Sequence, residues 1–323
     1  MLSEGDRRLI DGFQRDFPLE PEPFRIVADK LDLDESGVLA SLIRLSESGV
    51  ISRLGAVLRP NCAGASTLAA MAAPAHRLET IAEAVNAEPG VNHNYEREHK
   101  LNLWFVVTGA NRAAIAASLA RIQSRVGLDV LDFPLLRSFH IDLGFPIFTI
   151  GEGAKKIARG ASPPPPEADD IRLLTVIEDG LPLCRRPYQQ VATRLGWREQ
   201  DVIARLRRLI ACGAVARFGL VVRHHVLGYR ANAMVVWDVD DGVLPDIGAR
   251  LAAAPGVTLC YERPRRPPVW RYNLYSMVHG RDRDQVQAEI AVLAENVGAA
   301  SRGHEILFSR RCFRQRGAKL SAA

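Results

Sequence analysis

The sequence predicts an α+β protein, a tandem repeat in which each copy joins a winged helix-turn-helix to a ferredoxin-like βαββαβ domain. The first observation is internal repetition, because residues 8–64 align with residues 172–228, placing Pro18 on Pro182. The second is the alternation of strand and helix patterns that follows each of these segments. The third is length, since 323 residues suffice for two units of ordinary domain size.

Three helix patterns open the first copy. Ser3 and Asp34 are predicted to cap the first and third helices, and residues 21–31 form the second. The segment ISRLGAVL that follows Gly49 is predicted to be a β-wing, and the second copy repeats the apolar spacing. We expect winged helix-turn-helix domains at residues 1–62 and 170–228.

A βαββαβ pattern follows in each copy. In the first, residues 91–96 and 101–108 read as a hairpin, and the last strand is predicted at 130–139. Four successive prolines make the intervening segment an extended linker. The domain limits are 63–150 for the first ligand domain, 151–169 for the linker and 229–323 for the second ligand domain.

Bulk properties exclude several classes of protein. The net charge is only +5, and the five cysteines are odd in number with no CxxC pair, which argues against a zinc ribbon, a thioredoxin-like centre or a disulfide framework. No apolar run reaches the roughly 18 residues of a membrane span, and Met1 leads directly into charged residues. We therefore expect a soluble, cytoplasmic protein that does not associate with membranes.

Two hairpin motifs carry a family resemblance. HNYEREHKLNLWF (93–105) is similar to the signature of NirD/AhbA-type subunits, and CYERPRRPPVWRYNLYSMVHGR (260–281) to that of NirL/AhbB-type subunits. Both belong to the siroheme decarboxylase branch of the Lrp/AsnC superfamily, and the order of the halves resembles the natural fusion NirDL. The resemblance covers nearly the whole chain except the linker and the last few residues.

The resemblance implies a carbon-carbon lyase. Such enzymes remove carbon dioxide from the C12 and C18 acetates of siroheme, giving 12,18-didecarboxysiroheme for heme d1 or for an alternative heme route. It implies no cofactor beyond the iron tetrapyrrole substrate, and it suggests self-association and partner subunits of the NirG/NirH type. The fused form favours the heme d1 pathway.

Basic and aromatic residues on both hairpins suit a substrate with eight carboxylates, because guanidinium groups bind carboxylates in bidentate geometry. The second hairpin is five residues longer than the first, and three prolines there forbid regular strand pairing. The expected substrate-binding residues are Tyr95, Lys100, Asn102, Trp104, Tyr261, Arg263, Arg265, Arg266, Arg271, Tyr272, Asn273 and Tyr275.

Decarboxylation leaves electron density on the former acetate carbon, so a proton must arrive there. We expect His93 or His99 to deliver it and Arg97 to anchor the carboxylate. Strand alternation places His93, Tyr95 and Arg97 on one face. His304 and His279 are candidate ligands of the substrate iron. In the second copy Leu259 replaces His93. Either one side catalyses and the other binds the propionates, or each side acts on a different acetate.

A tetrapyrrole-responsive regulator of the Lrp/AsnC type is the alternative function. DNA binding needs clustered Lys and Arg on the reading helix. In the first copy this helix carries three acidic residues and only Arg44, and in the second copy the helix is more basic. DNA binding is therefore disfavoured, and a tetrapyrrole carrier without activity is a third reading.

Overall fold

The computed structural model describes residues 2–141, 144, 147–148 and 163–317. Most of the predicted linker, up to residue 162, lies outside the described residues. The chain divides into two compact units. One consists chiefly of Met1–Ala63 and Gly144–Leu227, and the other chiefly of Gly64–Leu143 and Gly228–Ala318. The two helix-turn-helix copies thus share one unit, and the two βαββαβ segments share the other.

The order of helices and strands agrees with the predicted α+β tandem repeat. The first copy contains α1 (Glu4–Phe13), α2 (Pro23–Leu31), α3 (Glu35–Glu47), β1 (Ile51–Leu58), β2 (Ala65–Met71), α4 (Leu78–Asn86), β3 (Val91–Arg97), β4 (Leu103–Gly109), α5 (Arg112–Val126), β5 (Leu131–Pro134) and β6 (Arg137–Ile141). The second contains α6 (Ala168–Val176), α7 (Pro187–Leu195), α8 (Glu199–Ala211), β7 (Val215–Val222), β8 (Ala231–Val239), α9 (Leu244–Ala253), β9 (Val257–Glu262), β10 (Leu274–Gly280), α10 (Arg283–Val297) and β11 (Ser301–Gln315).

The same buried ion pair holds each helix-turn-helix together. Ser3 and Asp6 form a capping box at the start of α1, and Asp6 also accepts a hydrogen bond from Arg44 on α3 at 2.6 Å. In the second copy Asp170 on α6 is fully buried and accepts from Arg208 on α8. Each first helix is therefore tied to its third helix by a carboxylate that satisfies the helix terminus as well.

The predicted β-wing differs from the observed structure. β1 and β7 pair with each other in an antiparallel two-stranded sheet, with Gly55 opposite Gly219, so the ladder joins the two copies. A Cβ at Gly219 would lie 2.5 Å from the backbone of Gln14. The close approach of α1 explains this glycine, and the pairing between copies explains why one strand in each copy suffices.

The other unit contains one nine-stranded sheet in the order β5-β2-β4-β3-β11-β8-β10-β9-β6. Its two edge strands, β5 and β6, are separated by only two residues, so the last Cα of β5 and the first Cα of β6 lie within about 11 Å of each other. One edge strand thus leads directly into the other, and the sheet closes on itself. The prediction of one last strand at 130–139 was wrong, because Leu135 and Leu136 carry the chain from β2 to the far partner β9.

Helices cover the outside of this closed sheet, and aromatic side chains fill part of its interior. One apolar core lies under α4 and α5, and a second lies under α9 and α10. A third cluster, on the opposite face of the strands, draws on both halves. We call it the interior cluster; it contains Ala70, Leu101, Trp104, Phe133, Met234, Val236, Trp270, Tyr272, Tyr275 and Leu307. The halves are thus joined edge to edge as well as face to face.

Among the described residues, no helix has both the length and the apolar character that crossing a bilayer requires.

Candidate active site

β3 places three predicted site residues on the interior face of the sheet. The rings of His93 and Tyr95 are stacked with centroids 6.3 Å apart. The guanidinium of Arg97 lies over the Tyr95 ring at 5.7 Å. The intervening Asn94 instead points to the helix side, where its amide donates to the backbone of Ala82 on α4. The face sharing that alternation predicts is therefore present in the structure.

Arg97 is a buried cation with few partners. One guanidinium nitrogen donates to the Leu307 carbonyl at 3.1 Å, and another approaches Met277 Sδ at 4.0 Å. Its Nε is buried and has no hydrogen-bond partner among the described residues. Burial lowers the pKa of Arg97 to about 10, against a weaker opposing effect of Tyr95. The side chain is thus held in a fixed place and incompletely satisfied.

β9 repeats this arrangement in the second half. The guanidinium of Arg263 lies over the Tyr261 ring at 5.2 Å and donates to the carbonyl of Phe133. The Nε of Arg263 is also buried and lacks a partner in the described part of the chain, and burial lowers its pKa. Phe133 on β5 stands where Leu307 stands on β11, so the two arginines are related by the pseudo-twofold symmetry.

Neither arginine has a carboxylate within ion-pair distance among the described residues. Burying a charge without a counter-ion typically lowers the stability of a protein by several kcal/mol. An anionic group placed beside such a charge offsets part of this cost. The pair Arg97 and Arg263 therefore marks two positions at which the closed sheet suits carboxylates.

His99 uses both ring nitrogens inside the protein. Its Nδ1 accepts a hydrogen bond from the Leu101 amide at 2.9 Å, and its Nε2 lies 2.8 Å from a carboxylate oxygen of Glu305 on β11. Burial lowers the pKa of His99, and the nearby charge of Glu305 acts in the opposite direction. Of the two predicted proton donors, His99 thus has a structural role, because it links the first hairpin to the second half.

The arginine-rich loop of the second hairpin is largely neutralised. Arg265 forms ion pairs with Asp238 and Asp241, and Arg271 reaches Asp238 at 3.4 Å. Arg266 donates to the carbonyl of Asp132. These contacts fix the loop that the prolines keep out of the ladder. Two of the four arginines predicted to hold substrate, Arg265 and Arg271, are therefore paired with carboxylates, whereas Arg263 and Arg266 donate to backbone carbonyls.

The loop also delivers a tryptophan to the interior cluster. Trp270 is buried, and its indole N–H donates to the hydroxyl of Tyr275 at 2.7 Å. Its ring packs 5.1 Å from Trp104 and 5.4 Å, edge-on, from His99. Tyr272 is buried beside it and hydrogen-bonds with Glu305. The extra length of the second hairpin thus fills the space next to the first hairpin.

Several other predicted binding residues have their polar groups satisfied by the fold. The Asn102 amide makes two hydrogen bonds to the backbone of Ala73, and Asn273 does the same with Val239. Trp104 donates to the Leu101 carbonyl, whereas Lys100 lies exposed at the turn. The recurring asparagines therefore hold each hairpin against a neighbouring strand end through hydrogen bonds.

The two candidate iron ligands lie on opposite faces of the sheet. The ring of His304 packs against Trp237 in a tilted arrangement, with ring centroids 4.8 Å apart, on the helix-covered side, and burial lowers the pKa of His304. His279 follows Tyr275 and Met277 in alternation along β10, so it faces the interior. The structure brings His279, but not His304, to the face that carries the two arginines.

Glu305 is the contact residue that the sequence reasoning missed. It bridges His99 and Tyr272, residues that belong to different halves. Its counterpart on β5 is Leu131, so a charged residue stands where the other copy has an apolar one. That break in the repeat was the available signal, but it becomes readable only when the strand register is known.

Arginines on the third helices of the helix-turn-helix unit are engaged in ion pairs. Arg205 and Arg208 on α8 contact Asp170, while Arg207 contacts Glu20. Arg198, the residue before α8, pairs with Asp201, and Arg44 on α3 pairs with Asp6. These contacts lower the positive charge available to DNA phosphates.

Comparisons with known proteins agree with this architecture. The family model of the AsnC-like ligand binding domain matches residues 63–140 and 226–314, and that of the siroheme decarboxylase NirDL-like HTH domain matches residues 6–51 and 170–215. The siroheme decarboxylase NirDL subunit of Paracoccus denitrificans is 45% identical over 99% of this chain and 98% of its own length.

Single halves and solved structures match as well. The siroheme decarboxylase NirD subunit of Stutzerimonas stutzeri is 54% identical over 44% of this chain and 93% of its own length. A crystal structure of a siroheme decarboxylase NirDL in complex with an iron-uroporphyrin III analogue superposes with a TM-score of 0.68. That structure is 27% identical and covers 98% of this chain and 93% of its own.

Proposed function

Because the chain belongs to the siroheme decarboxylase NirDL family, we propose that it removes carbon dioxide from the C12 and C18 acetates of siroheme. The product is 12,18-didecarboxysiroheme, on the route to heme d1. The reaction is that of a carboxy-lyase, and the iron tetrapyrrole enters as substrate. No further cofactor takes part in the proposed chemistry.

The pair of arginines carries this proposal. Arg97 is buried, Arg263 is half-buried with a buried Nε, and neither has a carboxylate partner among the described residues. A polycarboxylate substrate supplies the missing counter-charges, and desolvated guanidinium-carboxylate pairs are strong and directional. The rings of Tyr95 and Tyr261 hold the guanidinium groups in place from one side.

Each turnover needs one proton for each acetate. The bond between the methylene carbon and the carboxylate breaks, carbon dioxide leaves, and the electron pair stays on carbon, where the conjugated ring delocalises it. A proton then converts the methylene into a methyl group. We assign its delivery on the first side to His93, which shares a face of β3 with Tyr95 and Arg97, whereas His99 links the first hairpin to Glu305 of the second half.

The remaining assignments follow from position. The interior aromatics Trp104, Tyr272 and Tyr275 support the hairpins that face the substrate. Lys100 contributes positive charge near the first hairpin, and His279 is better placed than His304 to approach the tetrapyrrole. Self-association and a complex with NirG/NirH-type subunits stay part of the proposal.

The direct test is anaerobic incubation of the purified chain with siroheme, followed by mass spectrometry of the pigment. Loss of two carbon dioxide units is the expected result, and unchanged siroheme would overturn the proposal. His93→Ala and Arg97→Ala are the informative variants, and both are expected to slow the loss. The circular dichroism spectrum and bound pigment of each variant separate a catalytic defect from misfolding.

The regulator alternative predicts specific DNA binding by the helix-turn-helix unit. The ion pairs of Arg205, Arg207 and Arg208 leave little free positive charge on α8. We therefore expect no shift of promoter DNA in a gel assay at physiological salt, with or without siroheme. A specific, salt-sensitive shift would revive the alternative.

A further inference from the structure

A short motif recurs on the strand that each half of the chain contributes to the other half. Residues 137–140 on β6 read RSFH, and residues 311–314 on β11 read RCFR. β6 pairs with β9 of the second half, whereas this part of β11 pairs with β3 of the first half. The motif therefore lies where each half of the closed sheet meets a strand of the opposite half.

The arginine of the motif forms an equivalent ion pair in both places. Arg311 Nε lies 2.6 Å from a carboxylate oxygen of Glu96, and Arg137 Nε lies 3.3 Å from one of Glu262. Each glutamate is the middle residue of a YER sequence on its own strand, β3 or β9. The same pair of side chains thus ties each crossing strand to its partner.

The phenylalanine of the motif packs under the helices. Phe313 contacts the apolar core under α4 and α5, and Phe139 contacts the core under α9 and α10. The guanidinium groups of Arg311 and Arg137 lie over these two rings at 5.1 Å and 5.8 Å, respectively. Because side chains alternate along a strand, the residue between the arginine and the phenylalanine faces the inside of the closed sheet.

This middle residue stands opposite a tyrosine in the ladder. Cys312 pairs with Tyr95, and Ser138 pairs with Tyr261. Opposed residues of an antiparallel pair have Cβ atoms about 4.5–5.5 Å apart, so their side chains meet. On the first side, the Tyr95 hydroxyl hydrogen-bonds with the Cys312 thiol. Each half thus supplies a small polar group to the tyrosine of the other half.

The inward face of the sheet is open at both places. Cys312 and Ser138 are exposed, whereas the members of the interior cluster are buried. Arg97 lies over the Tyr95 ring, is only 8% exposed, and has an Nε without a hydrogen-bond partner in the described part of the chain. An open space bordered by a small polar side chain and a buried cation suits the rim of a polycarboxylate ring.

We propose that Cys312 and Ser138 contact the bound pigment, so that each side of the substrate site is completed by the half of the chain that does not supply its tyrosine. This inference rests on the proposed function and adds two contact residues to it. Both side chains are small, which leaves room for the edge of the macrocycle. Because β6 and β11 cross to the opposite halves, neither half contains a whole side of the site.

The Cys312 thiol makes this contact measurable in the natural chain. N-ethylmaleimide is added anaerobically with and without siroheme, and mass spectrometry of peptides follows the alkylation of each cysteine. At a pigment concentration about ten times its dissociation constant, Cys312 should react about 10-fold more slowly, because only the unliganded protein presents the thiol. Cys184, half-exposed in the helix-turn-helix unit, is the internal control and should react at an unchanged rate.

The counterpart position is tested by moving the thiol. In the double variant Cys312→Ser, Ser138→Cys, siroheme should protect the thiol at position 138 to a similar extent. The matched control combines Cys312→Ser with Val292→Cys, because Val292 is an exposed residue of α10. The thiol at position 292 should react equally fast with and without pigment, and protection there would overturn the assignment of a local contact.

Side-chain size gives a second readout. Cys312→Ser keeps a small polar group and should bind siroheme like the wild type, whereas Cys312→Trp fills the open space and should raise the dissociation constant about 10-fold or more. Circular dichroism verifies that both variants fold. Wild-type affinity of a folded Cys312→Trp variant would contradict the inference.

The outcomes for the two proposals differ. Equal alkylation of Cys312 with and without bound siroheme, in a sample that loses carbon dioxide, would overturn the contact and leave the decarboxylase function intact. Protection of Cys312 by siroheme that keeps all its carboxylates would overturn the proposed function and leave the contact intact. A chain that binds no siroheme would overturn both.

Discussion

The two sides of the closed sheet share one frame, an arginine packed on a tyrosine ring, and differ in how that frame is completed. Arg97 on Tyr95 and Arg263 on Tyr261 occupy equivalent strands and donate to equivalent carbonyls. The surroundings have diverged, because a short turn ends the first hairpin and a proline-rich loop ends the second. Gene duplication followed by fusion allows such divergence, since the two interfaces of a pseudo-dimer need not stay identical.

The divergence shows which residues are the same in the two halves and which have been replaced. The buried guanidinium groups are retained in both halves, whereas the residue at the hairpin tip is His99 in one copy and Arg265 in the other. Both tip residues pair with carboxylates of the second half, Glu305 and Asp238 respectively. The tips therefore secure the hairpins, and the strand residues behind them are the ones that we propose to bind the substrate.

The largest effect is expected where the second hairpin has gained length. Trp270→Ala removes a buried indole from the interior cluster and leaves the Tyr275 hydroxyl without its donor, so the free energy of unfolding should fall by about 3–5 kcal/mol. Urea denaturation measures this change. Lys100→Ala at the exposed tip of the first hairpin is the control and should stay within about 0.5 kcal/mol. Equal effects of the two variants would mean that the loop does not support the core.

The next effect concerns the shared frame. Arg97→Met and Arg263→Met should each weaken siroheme binding by about 30-fold or more, because losing a desolvated charge pair costs roughly 2 kcal/mol or more. An absorbance titration at fixed ionic strength measures the dissociation constant. Arg283→Met removes an exposed arginine paired with Glu98 and should leave binding unchanged. Wild-type affinity in either of the first two variants would remove that side from the binding site.

A smaller effect is expected from pH. Burial lowers the pKa of His99, so the unfolded chain binds a proton more readily than the folded chain as the pH falls below about 6.5. The contribution of neutral His99 to the free energy of unfolding is therefore present above that pH and is lost as the pH decreases. His99→Gln should remove part of this dependence, by about 1 kcal/mol or less, in urea denaturation at pH 7.5 and 5.5. An identical pH dependence in the variant would show that His99 does not contribute.

The sequence predicted the repeat and most elements because they depend on local patterns. Helix caps such as Ser3 and Asp34 occur where capping chemistry requires them. The exchange of β1 and β7 between copies could not be predicted, since strand pairing over 160 residues depends on tertiary packing. The division of the predicted strand 130–139 has the same cause, because two residues change its partner from β2 to β9.

The candidate site was predicted in part. Alternation along β3 placed His93, Tyr95 and Arg97 together, because a period of two is a local property. The structural use of Asn102 and Asn273 was not evident, since it depends on neighbouring strand ends. The resemblance to a family identified the hairpins, but it did not distinguish a paired arginine such as Arg265 from one without a carboxylate such as Arg263.

Arg97 and Arg263 carry the proposed binding of the substrate carboxylates, and one measurement tests them together. Siroheme is incubated anaerobically with Arg97→Met, Arg263→Met and the double variant, at pigment concentrations that saturate each, and the products are resolved by mass spectrometry. We predict one carboxylate lost with each single variant and none with the double variant. Complete removal of both carboxylates by the double variant would contradict the account.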